Sequence, residues 1–314
     1  MEEGKHLPVL VEEVLQFLDC RPDRIYIDAT VGSGGHARRI LERSSPTGRL
    51  IGLDWDAAAI ARAQKTLAPF GDRFHLVQGN FRDLKEVLES LSIPAVDGIL
   101  ADLGLSSEQL EDPERGFSFR GDAPLDMRMD LRRRITARDL IQRFSGEEMA
   151  RILREFGEER WANRITKAII RQRRIRALRT TGELVEVIRQ SIPAYPSRIH
   201  PATRTFQALR IAVNEELDNL ENFLKQCPSL LNPGGRVGII SFHSLEDRIV
   251  KSYFQQWAKR EKGRTAPFRM LTRKPLAPSG EEVRSNPRAR SAKLRVIEKI
   301  SEPIERGEHG GSDF

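Results

Sequence analysis

Short apolar runs alternate with amphipathic segments over the first hundred residues of this chain. Apolar runs at 25–28, 49–53, 74–78 and 96–102 predict strands, and the segments at 36–43, 56–67 and 82–91 have the character of helices. Regular alternation of this kind is typical of a doubly wound sheet whose strands run parallel. The pattern therefore predicts an α/β fold of the Rossmann-like kind.

The alternation stops after residue 104. From 105 to 200 no strand is predicted, and helices are expected at about 145–156, 158–174 and 180–191. A long helix at 203–225, a strand at 236–241, a helix at 244–257 and a last strand at 292–298 then complete the sheet. We therefore expect a first sheet part at 1–104, a helical insertion at 105–200, a second sheet part at 201–300 and a disordered tail at 301–314.

A glycine-rich turn follows the first predicted strand. Asp28 ends that strand, and the pattern Gly32-x-Gly34-x-x-Ala37 leads into the first helix, which lets a ligand approach the backbone. Asp54 ends the next strand about 20 residues later, where a carboxylate can accept hydrogen bonds from both ribose hydroxyls of a nucleotide-type cofactor. The pattern leaves both NAD and S-adenosyl-L-methionine (SAM) open. Asp28 favours SAM, because an acid suits a cationic cofactor and would repel a pyrophosphate.

Asp102 ends the fourth predicted strand, so three acids follow three strands of the same sheet. Ligands in such sheets bind beyond the carboxyl ends of the strands, which predicts that Asp28, Asp54 and Asp102 share one site. Two later segments, Arg115-Gly-Phe-Ser-Phe119 and Leu125-Asp-Met-Arg-Met-Asp130, mix polar residues with apolar and aromatic ones. At the mouth of a sheet such a mixture indicates a substrate pocket.

The net charge of +7 over 314 residues is unevenly distributed. Residues 117–179 hold 17 Lys and Arg against 9 acids, a net of +8, and residues 251–300 hold 14 against 4, a net of +10. Two basic regions on an otherwise balanced chain favour a nucleic acid partner over a merely solvated surface. A non-catalytic RNA-binding assembly factor would need only these regions, and it stays open beside an enzyme.

The composition also bears on where the protein is located in the cell and on whether it binds a metal. The N-terminus lacks the apolar run of a signal peptide, and no apolar run reaches about 18 residues, so we expect a cytoplasmic protein that does not span a membrane. Cys20 and Cys227 are far apart and belong to no CxxC pattern, which argues against a zinc site or a disulfide framework. We expect no bound metal.

Several strings resemble a known family. Ser241-Phe-His-Ser-Leu-Glu-Asp-Arg248, Pro201-Ala-Thr-Arg-Thr-Phe-Gln207, Gly157-Glu-Glu-Arg160 and the turn from Asp28 to His36 resemble the RsmH/MraW family of ribosomal RNA small-subunit methyltransferases. The matching segments span nearly the whole chain in the family's order. The resemblance implies a class I SAM-dependent methyltransferase sheet with an inserted helical domain. It also implies methylation of the exocyclic N4 of a cytidine in the decoding region of small-subunit ribosomal RNA, with the small subunit as partner.

The resemblance implies the cofactor contacts residue by residue. The matching positions for SAM are Gly34, Gly35, His36, Asp54, Phe81, Asp102 and Gln109. Val31 and Glu108 depart from the residues that are frequent in the family, and neither departure removes a cofactor group. An NAD-dependent oxidoreductase remains the alternative on the glycine pattern alone, although the chain shows no convincing hydride-transfer constellation.

Catalytic and substrate contacts are expected around the strand ends. Methyl transfer builds positive charge on N4, which a nearby carboxylate or other acceptor would stabilise, and Asp102 and His243 are the candidates. A core or capping role for His243 is an equally good interpretation, as core packing is for Phe117 and Phe119. The residues expected to contact the RNA are Phe117, Phe119, Asp126, Arg128, Arg173, Arg174 and Arg176. A homodimer is compatible with the sequence but is not indicated by any motif.

Overall fold

A computed structural model describes residues 8–193, 199–260 and 266–300. Its strands are β1 Ile25–Asp28, β2 Arg49–Asp54, β3 Phe74–Gln78, β4 Val96–Asp102, β5 Leu231–Ser241, β6 Phe268–Met270 and β7 Lys293–Lys299. They form one sheet in the order β3-β2-β1-β4-β5-β7-β6. Strands β1 to β5 run parallel, whereas β7 is antiparallel to both β5 and β6. This doubly wound, mostly parallel arrangement confirms the predicted α/β, Rossmann-like fold class.

Thirteen α-helices surround the sheet or follow β4 in the described part of the chain. They are α1 Val11–Leu18, α2 Gly35–Arg43, α3 Ala57–Leu67, α4 Leu84–Ser90, α5 Ser107–Glu111, α6 Ala137–Arg143, α7 Gly146–Glu155, α8 Ala162–Ile175, α9 Thr181–Ser191, α10 Thr203–Asn214, α11 Glu216–Leu230, α12 Ser244–Trp257 and α13 Gly280–Ser285. The helices predicted between the first four strands are present, and each of their ends lies within two residues of its predicted position.

Apolar side chains cover both faces of the sheet. On one face, residues such as Ile27 and Ile99 pack against α4, α11 and α12. On the other face, Tyr26, Leu50 and Leu100 pack against α1, α2 and α3. Parallel strands that are buried on both faces read as near-continuous apolar runs, which is why the first four strands could be found from sequence.

A third apolar cluster lies in the region between β4 and β5. Helices α6 to α10 and the loop that carries Leu125, Met127 and Met129 pack together around it. We call this region, residues 107–193 and 199–214, the helical subdomain. Capping boxes at Thr136, Ser145 and Thr180 start three of its helices by pairing a hydroxyl with the third helical backbone N–H group.

The prediction of a single helix at 203–225 is wrong. The chain instead forms α10 and α11, which meet at Glu215 in the left-handed region with φ 53° and ψ 38°. The apolar side chains of α10 belong to the helical subdomain, whereas those of α11 pack on the sheet. One straight helix cannot serve both clusters, so the chain turns at Glu215 between them.

Other boundaries differ for local reasons. Helix α8 starts at Ala162 rather than 158, because Glu158 has φ 47° and interrupts the helical path. Helices α1, α5, α6 and α13 and the three-residue strand β6 were not predicted. Strand β6 depends on its pairing with β7 and has too few residues for a periodic pattern. The expected tail at 301–314 lies outside the described residues.

A glycine in the turn between α7 and α8 yields a test of the fold. A Cβ on Gly157 would lie 2.5 Å from the carbonyl oxygen of Arg204 and 2.8 Å from that of Leu153, and neither backbone can move aside cheaply. We expect Gly157→Ala to lower the free energy of unfolding by about 1–3 kcal/mol, the range for overpacking. Urea unfolding followed by circular dichroism measures it.

The matched control is Gly121→Ala, because no atom lies within 4 Å of the Cβ that would be added there. Its unfolding midpoint should match the parent protein. Equal midpoints for Gly157→Ala and Gly121→Ala would show that the turn is not pressed against α10.

Candidate active site

The carboxyl ends of β1, β2 and β4 meet at one edge of the sheet. Parallel pairing places Asp28 opposite Gly52 of β2 and Leu100 of β4, so that the acids at the three strand ends become neighbours. A cleft of about 1080 Å³ opens at this edge, and Asp54 and Asp102 both line it. Asp28 lies buried beneath it at 1% exposure. Asp54 and Asp102 therefore lie at one cleft and Asp28 is buried near them, while a shared role of the three acids in one site stays a prediction.

The glycine turn forms one wall of the cleft. Gly34 has φ 86° and caps α2, and Gly35 approaches Pro8 so closely that a Cβ would lie 3.2 Å from Pro8 Cγ. Gly32 donates its backbone N–H to Asp54 Oδ2 at 3.0 Å. The turn is therefore tied to the end of β2, and the backbone of α2's first turn is left next to the cleft.

Asp54 is held by two backbone groups. Besides Gly32, the N–H of Asp56 donates to Asp54 Oδ1 at 2.9 Å. Burial nonetheless raises the pKa of Asp54 to about 7, and burial likewise raises the pKa of Asp28 to about 6. The protein alone supplies too little positive charge to keep both groups fully ionised at neutral pH, which suits a ligand that brings hydroxyl donors or a positive charge.

His36 and Asp102 form the centre of the site. His36 Nε2 lies 3.6 Å from Asp102 Oδ2, and the imidazole is 6% exposed. Burial opposes protonation of His36, but the nearby carboxylates of Asp102 and Asp28 outweigh it, and the pKa of His36 is raised. Both ring nitrogens of His36 and Asp102 Oδ1 are buried without a hydrogen-bond partner in the described part of the chain. Unsatisfied buried polar atoms are rare in folded proteins, and a polar ligand in the cleft would satisfy them.

Aromatic side chains also line the cleft. Phe81 is 8% exposed and contacts Phe223 edge-on at 5.3 Å and Trp55 at 6.1 Å between ring centroids. Gln109 lines the same cleft, accepts the N–H of Ser106 and donates to Asp56 Oδ2 at 3.0 Å. A planar base can lie against Phe81 and Trp55 while Asp54 receives the adjoining sugar. All seven residues expected to hold the cofactor lie around this edge, and their contacts with it stay a prediction.

The residues expected to contact RNA lie mainly in the helical subdomain. Phe117 is 6% exposed in its apolar cluster, whereas Phe119 stacks on His200 with ring centroids 4.5 Å apart. Asp126 pairs with Arg128, whose guanidinium also donates to the carbonyl of Arg133 at 2.6 Å. Phe117, Asp126 and Arg128 thus make contacts within the protein itself, and their roles in binding the substrate stay predictions.

The three arginines near the end of α8 differ in their surroundings. Arg173 donates to the carbonyl oxygens of Ile141 and Phe144 at 2.6 and 2.7 Å, and it thereby closes the end of α6. Arg176 pairs with Glu183 at 2.6 Å. Arg174 is exposed. Of the three, Arg174 has the surroundings that suit a contact with a phosphate group.

Several residues at the cleft were missed by sequence reasoning. Glu108, which departs from the family's pattern, accepts the hydroxyl of Ser33 at 2.7 Å, and Arg62 donates to the same Ser33 oxygen at 3.1 Å. Trp55 follows directly after Asp54, and this adjacency could have indicated it. The sequence around Glu108 gave no sign of this role beyond its difference from the family. Its partners Ser33 and Arg62 are 75 and 46 positions away in sequence.

A second polar cluster lies where α11 and the end of β5 approach the cleft. Ligand atoms of Glu216, His243 and Glu246 lie within 4.8 Å of one another. Arg210 already donates to both carboxylate oxygens of Glu216 at 2.9 and 2.8 Å. A cation would have to compete with this guanidinium, so the cluster fits a metal poorly.

The fold and the site together define a class. A doubly wound sheet with a glycine turn after β1, an acid after β2 and another after β4 is the architecture of a SAM-dependent methyltransferase. The model of the MraW methylase family matches residues 3–300 of the chain. The chain belongs to that family, and its cofactor is S-adenosyl-L-methionine. This assignment excludes the NAD-dependent oxidoreductase and the non-catalytic RNA-binding factor that the sequence patterns left open.

Similar proteins agree with this assignment. The chain is 52% identical over 307 residues to the ribosomal RNA small subunit methyltransferase H of Symbiobacterium thermophilum, with 94% of this chain and 96% of that protein covered. It is 51% identical over 310 residues to the protein of the same name from Geobacter sulfurreducens, with 94% and 99% covered. A solved structure, the methyltransferase SMU.1697c of Streptococcus mutans in complex with SAH, gives a TM-score of 0.45 at 11% identity over 94% of this chain and all of that one. This last similarity is too distant to add to the assignment.

Asp54 yields a test of the cofactor site. Ribose hydroxyls would donate to the ionised carboxylate, so binding of SAM should favour the deprotonated form of a group whose pKa is about 7 in the free protein. We expect the affinity for SAM to be constant above pH 8 and to fall as pH drops through 7, by up to about tenfold per pH unit. Calorimetry between pH 8 and pH 6 measures it.

The control is Asp54→Asn, which keeps the shape of the side chain and removes the titrating charge. This variant should bind SAM about 1.5–3 kcal/mol more weakly at pH 8, the scale of a hydrogen bond to a charged group, and should lose most of the pH dependence. Unchanged affinity in Asp54→Asn would remove the residue from the cofactor site.

Proposed function

We propose that this protein methylates the exocyclic N4 of a cytidine in the decoding region of small-subunit ribosomal RNA. The observation that carries the proposal is the identity of about half of all residues, over nearly the full length, to proteins named ribosomal RNA small subunit methyltransferase H. The family resemblance of the sequence motifs supports N4 as the acceptor. The chemistry of the cleft supports an amine in general.

The cleft offers an acceptor where an amine would react. SAM, when bound, supplies an electrophilic methyl group. Asp102 Oδ1 is buried without a hydrogen-bond partner in the described part of the chain and lines the cleft at the end of β4. Such an oxygen can accept a hydrogen bond from the amine, stabilise the positive charge that develops on its nitrogen and take up the proton that leaves. His36 lies beside this carboxylate, with its Nε2 3.6 Å from Asp102 Oδ2.

The two cysteines speak against methylation of a ring carbon. That reaction on cytosine needs a thiolate that adds to the base. Burial raises the pKa of Cys20 to about 12, and burial raises the pKa of Cys227 still further above its usual range. Cys227 also donates its thiol to the carbonyl of Phe223 within α11. Neither thiol is suited to act as a nucleophile, which supports the amine over C5.

The helical subdomain and the basic stretch at 251–300 are proposed to hold the RNA. Both regions border the cleft, because Met129 of the helical subdomain and Arg288 of the basic stretch line it. No helix in the described ranges is long and apolar enough to cross a membrane. We propose that the protein acts in the cytoplasm on the small ribosomal subunit; a homodimer stays a prediction.

The direct experiment is transfer of a labelled methyl group from SAM to purified small subunits that lack the modification. Nuclease digestion and mass spectrometry should find N4-methylcytidine at one site in the decoding region. Label on C5, on a ribose hydroxyl or on a ribosomal protein would contradict the proposed acceptor. Asp102→Asn should slow the reaction by on the order of 10²-fold or more, the lower range for general-base groups.

Two exposed arginines on α8 test the RNA surface. Arg171 and Arg174 are exposed three positions apart on α8, so they lie on the same side of the helix. Replacing both with Ala should reduce the slope of log affinity against log salt by about 1.4, since each phosphate contact to single-stranded RNA contributes about 0.7. Filter binding of small-subunit RNA over a range of salt measures the slope. Arg21→Ala, an exposed arginine before the amino end of β1, is the control, and an equal slope for both would place the RNA elsewhere.

A further inference from the structure

The aromatic ring of Phe242 lies beside the end of β4, where we propose that the methyl group is transferred. Phe242 follows β5 directly, and β5 pairs with β4 up to Ile240 and Asp102. The ring is half-buried and lines the cleft. It lies against the backbone of Gly104, where an added Cβ would meet Phe242 Cδ2 at 3.6 Å. The segment after β4, Asp102-Leu-Gly-Leu105, has no aromatic residue of its own, so Phe242 brings a ring to this place from the neighbouring strand.

A buried carboxylate lies next to this ring. Glu246 is 3% exposed and lines the same cleft. Its Oε2 accepts the backbone N–H groups of Phe242 at 2.8 Å and His243 at 3.2 Å, which fixes the side chain at the start of α12. Its Oε1 lies 3.2 Å from His243 Nε2. That nitrogen is buried and has no hydrogen-bond partner among the described residues, in a side chain that is 10% exposed.

The groups around Glu246 keep it an acceptor. Burial opposes its ionisation, but His243, Arg210 and the N–H of Phe242 outweigh this effect, and the pKa of Glu246 is lowered. The other acid of the cluster, Glu216, is occupied by the two hydrogen bonds from Arg210. Glu246 Oε1 faces His243 Nε2 at 3.2 Å, and a carboxylate oxygen has a further lone pair that can accept from a group in the cleft.

We propose that Phe242 and Glu246 form the pocket that selects the target base. The base stacks on the ring of Phe242, and its exocyclic amine donates a hydrogen bond to Glu246 Oε1. His243 acts as a positioning residue that holds the carboxylate. This assignment rests on the proposed function, because it places an aminated pyrimidine beside Asp102.

The pocket would distinguish cytosine from uracil by the group at position 4. Cytosine presents an amine there, which a carboxylate accepts, whereas uracil presents a carbonyl, which an ionised carboxylate repels. A buried site of this kind discriminates strongly, because the wrong base leaves a polar group without a partner. Stacking on a ring, by contrast, stabilises any base and sets affinity without selecting among bases.

The role of the ring is tested with Phe242→Leu. With small ribosomal subunits as substrate, we expect kcat/KM to fall by about tenfold or more, the scale for losing one stacking contact, with the affinity for SAM within twofold of the parent protein. Phe242→Tyr keeps the aromatic face and should recover most of the rate. Phe17→Leu is the matched control, since Phe17 packs against the same apolar cluster but does not line the cleft. Thermal unfolding of all three variants separates lost packing from lost recognition.

The role of the carboxylate is tested with Glu246→Gln. An amide can cap α12 through its oxygen and turn its NH₂ group toward the cleft, where it would donate to a carbonyl. In the presence of S-adenosylhomocysteine, saturation-transfer NMR at millimolar nucleoside should show that the parent protein binds cytidine in preference to uridine. Glu246→Gln should lose this preference or reverse it, and thermal unfolding establishes that the variant is folded at the temperature of the measurement.

The outcomes separate the pocket from the reaction. If the parent protein forms N4-methylcytidine but Phe242→Leu is as fast as Phe17→Leu, or Phe242→Tyr is as slow as Phe242→Leu, the stacking role is overturned while the proposed function stands. A parallel loss of SAM affinity in Phe242→Leu would make the ring a cofactor contact and also overturn the pocket. Equal binding of cytidine and uridine to the parent protein would overturn the role of Glu246. If the parent protein methylates no amine, the proposed function itself fails.

Discussion

The site depends on the parallel pairing of β1, β2 and β4, which forces three carboxyl groups into one edge of the sheet. Burial deprives these carboxyl groups of solvation, and neighbouring acids add a smaller repulsion, so the pKa values of Asp28 and Asp54 are raised. Backbone N–H groups of the glycine turn and the imidazole of His36 offset part of this effect. A cofactor that carries hydroxyl donors and positive charge suits this edge, because it supplies partners for carboxyl groups whose ionisation burial opposes.

The second constraint is the attachment of the helical subdomain to this edge. Asp56, which follows the end of β2, accepts hydrogen bonds from the side chains of Gln109 at 3.0 Å and Arg115 at 3.3 Å. Arg115 also donates to the carbonyl of Met129. On the other side, Glu158 accepts the hydroxyl of Ser244 and pairs with Arg248 at the start of α12. Polar contacts on both sides of the cleft thus set the position of the subdomain relative to the strand ends. The helical subdomain, which we propose to contact the RNA, is thereby fixed beside the acids of the sheet.

Arginine is abundant in the helical subdomain for more than one reason. Arg115, Arg128 and Arg173 each donate to backbone carbonyl groups, where loops and helix ends leave acceptors without partners. The guanidinium group suits this use because it presents several donors in a fixed plane. Net charge alone therefore overstates the positive surface open to RNA, and exposed positions such as Arg174 are the ones that a phosphate can reach.

The features that could be predicted from the sequence are those that depend on interactions between neighbouring residues. The strands β1 to β4, the glycine turn and the acids at the strand ends could be found from sequence, because periodic burial and turn chemistry act over a few neighbouring residues. The charge pattern indicated a nucleic acid, and the capping patterns located helices such as α7 and α9. The break between α10 and α11 could not be found, because Glu215 turns only in response to two apolar clusters that the chain builds elsewhere. The pairing of Glu108 with Ser33 and the approach of Phe242 to Gly104 join residues that are 75 and 138 positions apart. Local sequence determined which groups end each strand, and only the tertiary structure decided which of them meet in the cleft, because strand order and helix packing bring distant segments together.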